Sequence, residues 1–90
     1  MNKLVDVIKN LDPEDKLWIK YFKKGRIFAR YGYFSTYEDG TLTLLVSSNR
    51  KNDKILISRL PLKLEEIFFI GNVTKERIEF VDTNYMDVVK

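Results

Sequence analysis

The chain has 90 residues, a net charge of +3, 44% hydrophobic residues and 13% aromatic ones, with neither cysteine nor histidine. One small core in a single domain is what such a length supports. The missing residue types exclude disulfides, thiolate nucleophiles, Cys/His zinc sites and imidazole acid–base chemistry, so no catalytic residue, metal site or cofactor is expected. Glutamine is absent, Ala29 is the single alanine, and Lys, Ile and Tyr are abundant, a composition that leans towards a thermophilic or A/T-rich source. Asp6 and Lys9 interrupt the apolar residues at the N-terminus, and no stretch approaches membrane-span length, so the expectation is a cytoplasmic protein with no membrane partner.

In chain order, Leu4, Val7, Ile8 and Leu11 fall at helical spacing and predict a short amphipathic helix over 2–10. Asp12-Pro13-Glu14-Asp15 reads as a second helix start, with a capping carboxylate, a proline suited to the first helical position and acids at the positive end of the dipole. That helix is expected to reach Lys24, with Leu17–Tyr21 and Trp18–Phe22 as its apolar i,i+4 pairs and Gly25 as its left-handed terminator. Residues 26–37 are rich in aromatic and β-branched side chains and read as a strand, followed by a tight turn at Glu38-Asp39-Gly40.

Alternation predicts further strands over 41–47 and 54–60, the latter ended by Pro61, which has no N–H to give the ladder. Residues 62–66 suit one helical turn, 67–70 a short apolar strand, Gly71-Asn72 a turn and 77–81 a fifth strand. The expected fold is therefore α+β. A helical hairpin (1–25) packs on a five-stranded antiparallel meander or small SH3-like barrel (26–82), and an apolar C-terminal segment (83–90) follows. In element order and size this is similar to the Sm-like RNA-binding barrels and other SH3-like barrels. The paired Sm motifs are missing, with no Asp-x-x-x-Asn after the second strand and no Arg-Gly near the fourth, so no family follows from it.

Function is concentrated in 16–37, which holds six cations, no acid and eight aromatic residues. Cations set among flat rings suit a polyanion with stackable bases. The candidate phosphate contacts are Lys20, Lys23, Lys24, Arg26 and Arg30, joined by Arg50, Lys51 and Lys54 from a polar loop over 48–53 and the strand start beyond it. Tyr31, Tyr33 and Tyr37 alternate onto one strand face, and Tyr31 and Tyr33 are the candidate stacking residues; Trp18 and Phe22 are expected in the core. Glu65 and Glu66, being adjacent, would face opposite ways in a strand and form no acid–base pair. The first reading is a small non-enzymatic module that binds nucleic acid, DNA or RNA, with little sequence specificity. The second is an accessory subunit or inhibitor acting by protein–protein contact through Tyr85, Met86, Val88 and Val89.

Overall fold

The segment expected as the second helix is a strand. In the computed structural model, which describes residues 3–51 and 54–82 (48–51 and 54–56 in backbone only), Lys16–Lys23 forms β1. Its sequence, KLWIKYFK, satisfies two periods at once. Leu17, Trp18, Tyr21 and Phe22 fit a helix, whereas Leu17, Ile19 and Tyr21 fit one face of a strand. The strand prevails: Leu17, Ile19 and Tyr21 are buried, and Lys16, Trp18, Lys20 and Phe22 alternate with them on the other face. Trp, Ile, Tyr and Phe suit a pleated, half-buried surface, and β1 has a ladder on each side.

Asp12-Pro13-Glu14-Asp15 accordingly starts no helix. Asp15 N–H donates to the Asp12 carbonyl at 3.1 Å, and Glu14 takes φ 73°, the third-position conformation of a type II turn with proline before it. Gly25 is left-handed as expected (φ 74°), but it and Lys24 (φ 51°) are the central residues of a two-residue hairpin, as a type I′ turn requires. Asp39 and Gly40 (φ 50° and 76°) repeat the device.

The remaining elements are α1 (Lys3–Lys9), β2 (Arg26–Glu38), β3 (Thr41–Lys51), β4 (Lys54–Lys63), a 3-10 turn (Leu64–Glu66), β5 (Ile67–Asn72) and β6 (Arg77–Val81). The expected α+β fold, a helical hairpin on five strands, is thus corrected to one short helix with a six-stranded antiparallel sheet in the order β4-β3-β2-β1-β5-β6. Only β1 to β4 form a meander; β5 returns to the far side of β1. In a flat sheet β4 and β5 would lie four strand spacings apart, about 19 Å. The chain from Lys63 to Ile67 spans at most about 14 Å, so the sheet must curl. Leu64 N–H donating to the Gly40 carbonyl at 3.1 Å fixes the curled hairpin against the 3-10 turn. Among the described residues, the edge strands β4 and β6 are not paired with each other.

The inside of the curl is one core. Leu17, Ile19 and Tyr21 of β1 meet Leu42, Leu44 and Leu62 from β3 and β4, Ile67 and Ile70 from β5, and Leu4, Ile8 and Leu11 from and just after α1. Bulges supply the bending. One falls between Phe34 and Thr36 of β2 and reverses the strand's phase, so Tyr37, across from Leu42, packs against the core instead of sharing a face with Tyr31 and Tyr33. Pro61 does not end its strand but lies within β4, opposite Thr43, which an edge strand tolerates. Gly71 and Asn72 belong to β5; the turn follows at 73–76.

Candidate nucleic-acid interface

Strand registers assemble the outer face row by row. One row carries Tyr31, Trp18, Gly71 and Ile78 from β2, β1, β5 and β6; the next carries Ala29, Lys20, Phe69 and Val81. On the other side of the first, Arg59, Leu45, Tyr33 and Lys16 line up from β4, β3, β2 and β1. None of these positions is acidic, while Glu38, across from Thr41 at the end of β2, falls on the same side of the sheet. Trp18 and Tyr31 pack ring to ring with centroids 4.2 Å apart and planes at 37°. Lys16 Nζ lies 5.5 Å from the Tyr31 centroid and Lys20 Nζ 5.0 Å from that of Phe69, within cation–π range. Tyr31 remains 55% exposed and Tyr33 48%. Gly71 makes room in the middle, since a Cβ there would lie 3.2 Å from the Phe69 ring and 3.8 Å from Trp18 Cβ. A shallow groove results, lined by Trp18, Tyr31, Phe69, Gly71 and Ile78 together with Asn72, Val73 and the oppositely charged Glu76 and Arg77. Such a surface can accept flat bases on its rings and phosphates on its ammonium groups.

The expected site residues fall into three places. Lys20, Tyr31 and Tyr33 lie on this face. Lys23, Lys24 and Arg26 stand exposed at the β1–β2 hairpin end, where with Phe28 they line a cleft of their own. Arg30 is exposed on the strand face opposite to Tyr31. Arg50 and Lys51 lie in β3 and Lys54 in β4, with Lys51 directly across from Lys54 at the end of that ribbon. Tyr85, Met86, Val88 and Val89 lie outside the described residues. Trp18 and Phe22, expected in the core, are on the outer side of β1, with Phe22 packed on Phe68 at 5.0 Å between centroids. Lys16, Trp18 and Phe69 were not expected at the site. The alternation Lys16-x-Trp18-x-Lys20-x-Phe22 is the signal that would have found the first two.

A polar clamp fixes the rim of this face. Asn72, buried, donates from Nδ2 to Asp15 Oδ2 and to Glu79 Oε2, both at 3.0 Å, and its Oδ1 accepts from Lys75 N–H at 3.0 Å. Lys75 Nζ reaches Asp12 Oδ2 at 2.6 Å and Asp15 Oδ2 at 3.4 Å. Asp15 Oδ2 also accepts from Asp12 N–H at 3.1 Å. Burial alone would push the Asp15 carboxyl up, but hydrogen bonds from Asn72 and Asp12 N–H, with the charge of Lys75, outweigh it and hold the carboxyl below its ordinary range. The turn carrying Glu14 and the β5–β6 turn are thereby locked to each other. Among the described residues no group of three or more Asp, Glu, His or Cys is placed to hold a metal ion, and no helix is long and apolar enough to cross a membrane. No family model, curated protein or solved structure matches this chain.

Proposed function

We propose that the outer face binds single-stranded nucleic acid with little sequence specificity and without catalysis. Trp18, Tyr31, Tyr33 and Phe69 stack on bases, Lys16 and Lys20 take the adjoining phosphates, and Lys23, Lys24 and Arg26 hold the strand where it leaves the face. The observation that carries this reading is the Trp18–Tyr31 pair, whose Tyr31 is 55% exposed, flanked by the ammonium groups of Lys16 and Lys20. A duplex keeps its bases stacked on each other, so a platform of this kind favours single strands.

The chain's single tryptophan lies in the site, which makes the test direct. Oligo(dT) and oligo(U) should quench Trp18 fluorescence at low salt, with log affinity falling against log salt at a slope of about −3 for some four phosphates neutralised. Lys16→Ala with Lys20→Ala should flatten that slope. Folded protein that shows no quenching at low salt would refute the reading. Protein–protein docking keeps one supporting observation, the exposure of Ile78 and Val81 on the edge strand β6; a stoichiometric partner that survives nuclease treatment would favour it.

A further inference from the structure

Beyond Tyr33 the outer face continues into a second pocket, lined by Tyr33, Leu45, Ser47, Ile57 and Glu14. Three of these are apolar or aromatic, and Ile57 is 69% exposed. Glu14 is the odd member. Its carboxylate has no hydrogen bond or ion pair among the described residues, and it occupies a left-handed backbone position (φ 73°) where glycine would be unstrained. The position is firmly held: Glu14 N–H donates to the Phe34 carbonyl at 3.2 Å, and Phe34 N–H to the Asp15 carbonyl at 2.9 Å. An acid fixed beside an aromatic ring, next to the row that carries Lys16, Tyr33 and Arg59, weakens general phosphate binding. It is explained if it takes hydrogen bonds from the ligand.

We propose that this pocket holds one guanine base, stacked on Tyr33 between Leu45 and Ile57, with the Glu14 carboxylate accepting from its Watson–Crick edge. This rests on the single-strand reading above. Guanine presents N1–H and an N2 amino group side by side, a fork that matches the two oxygens of a carboxylate as an arginine does. Cytosine and adenine offer one amino group beside a ring-nitrogen acceptor. Thymine and uracil offer one N–H between two carbonyls that repel a carboxylate. Arg59, exposed across from Leu45, supplies a cation for the phosphate of the same nucleotide.

The test compares oligo(dT) with the same oligonucleotide carrying one central deoxyguanosine, or deoxyinosine, which lacks the N2 amino group. Wild-type protein should favour the guanine-containing strand over oligo(dT) by about tenfold or more, and inosine should recover only part of that gain. Glu14→Gln and Glu14→Gly should each abolish the preference while keeping or improving affinity for oligo(dT). The glycine variant should be at least as stable as wild type, so its loss of preference would not reflect unfolding. Equal affinity for all three strands, or a preference that survives both substitutions, would overturn the guanine pocket and leave the platform standing. If no strand binds at low salt, the platform reading falls and the pocket with it.

Discussion

Tyr31 and Tyr21 are both tyrosines of the aromatic stretch, and their replacement by alanine should have opposite consequences. Tyr21 is 3% exposed inside the curl and stacks on Phe28 at 5.5 Å; its loss should cost about 3–5 kcal/mol of stability. For a domain whose total is about 5–15 kcal/mol, that leaves little. Tyr31 keeps more than half of its surface in water. The buried remainder is about 80 Å² of ring, so at about 25 cal/mol per Å² the transfer loss is about 2 kcal/mol, part of which alanine retains. Its contact with Trp18 adds about 1 kcal/mol. A loss near 2 kcal/mol leaves the domain folded, whereas affinity for single strands should fall by about 1–3 kcal/mol. Urea denaturation and Trp18 quenching on both variants measure the two quantities. The reasoning is refuted if Tyr31→Ala costs as much stability as Tyr21→Ala, or if it leaves oligonucleotide affinity unchanged.

Two glycine substitutions should likewise separate fold from site. Gly32→Ala places a Cβ 3.0 Å from Leu44 Cβ and Val46 Cγ1 and 3.1 Å from the Leu45 carbonyl, and should cost about 1–3 kcal/mol in urea denaturation. Gly71→Ala meets chiefly the Phe69 ring, which can swing outward, so stability should fall by less than about 1.5 kcal/mol while stacking affinity drops. Glu14→Gly relieves a left-handed position and should raise the urea midpoint, the gain being up to about 1 kcal/mol. The Asp15 carboxyl titrates lower in the folded chain than in the unfolded one, so its contribution is complete above the ordinary aspartate value and is lost as pH falls through the folded one. Urea midpoints should therefore decline below about pH 4, and Asp15→Asn should flatten that part of the decline.

Much of the β architecture was legible because its signals are local. Glu38-Asp39-Gly40 marks a turn by itself, and the alternation in 41–47 and 77–81 admits only one period. Residues 16–23 were ambiguous, since apolar residues at 17, 18, 19, 21 and 22 satisfy helix and strand alike. The choice between them depends on ladders with Arg26–Glu38 and Ile67–Asn72, which are non-local. The same holds for Tyr37, whose face is set by a bulge at the β2–β3 bend, and for Pro61, tolerated because its strand is at an edge. At the site, Lys20, Tyr31 and Tyr33 were readable from composition and parity. Phe69 was not, because only the register of β5 brings it beside Lys20. Arg26 and Arg30 share the cationic block in sequence, yet strand parity turns them away from Tyr31 and Tyr33.

The distribution of rings between the two faces separates packing from function. The core that closes the curl is built from leucines and isoleucines with Tyr21, with Phe28, Phe34, Tyr37 and Phe80 packed against it, and among the described residues Phe68 is the other buried ring. It is continuous across β1, β3, β4, β5 and α1 without Trp18, Tyr31, Tyr33 or Phe69. Had the fold needed those rings, the curl would have enclosed them, because burying an aromatic side chain is among the largest stabilising contributions available to a small domain. They stand instead on the side facing away from the core, where Lys16 and Lys20 cover ring surface with their stems and keep their charges in water. An exposed sheet face of this kind invites association, and the charges of Lys16 and Lys20 beside its rings favour a partner carrying negative charge. Flat rings beside cations then favour a partner that is both anionic and planar along its length. Single-stranded nucleic acid has both properties.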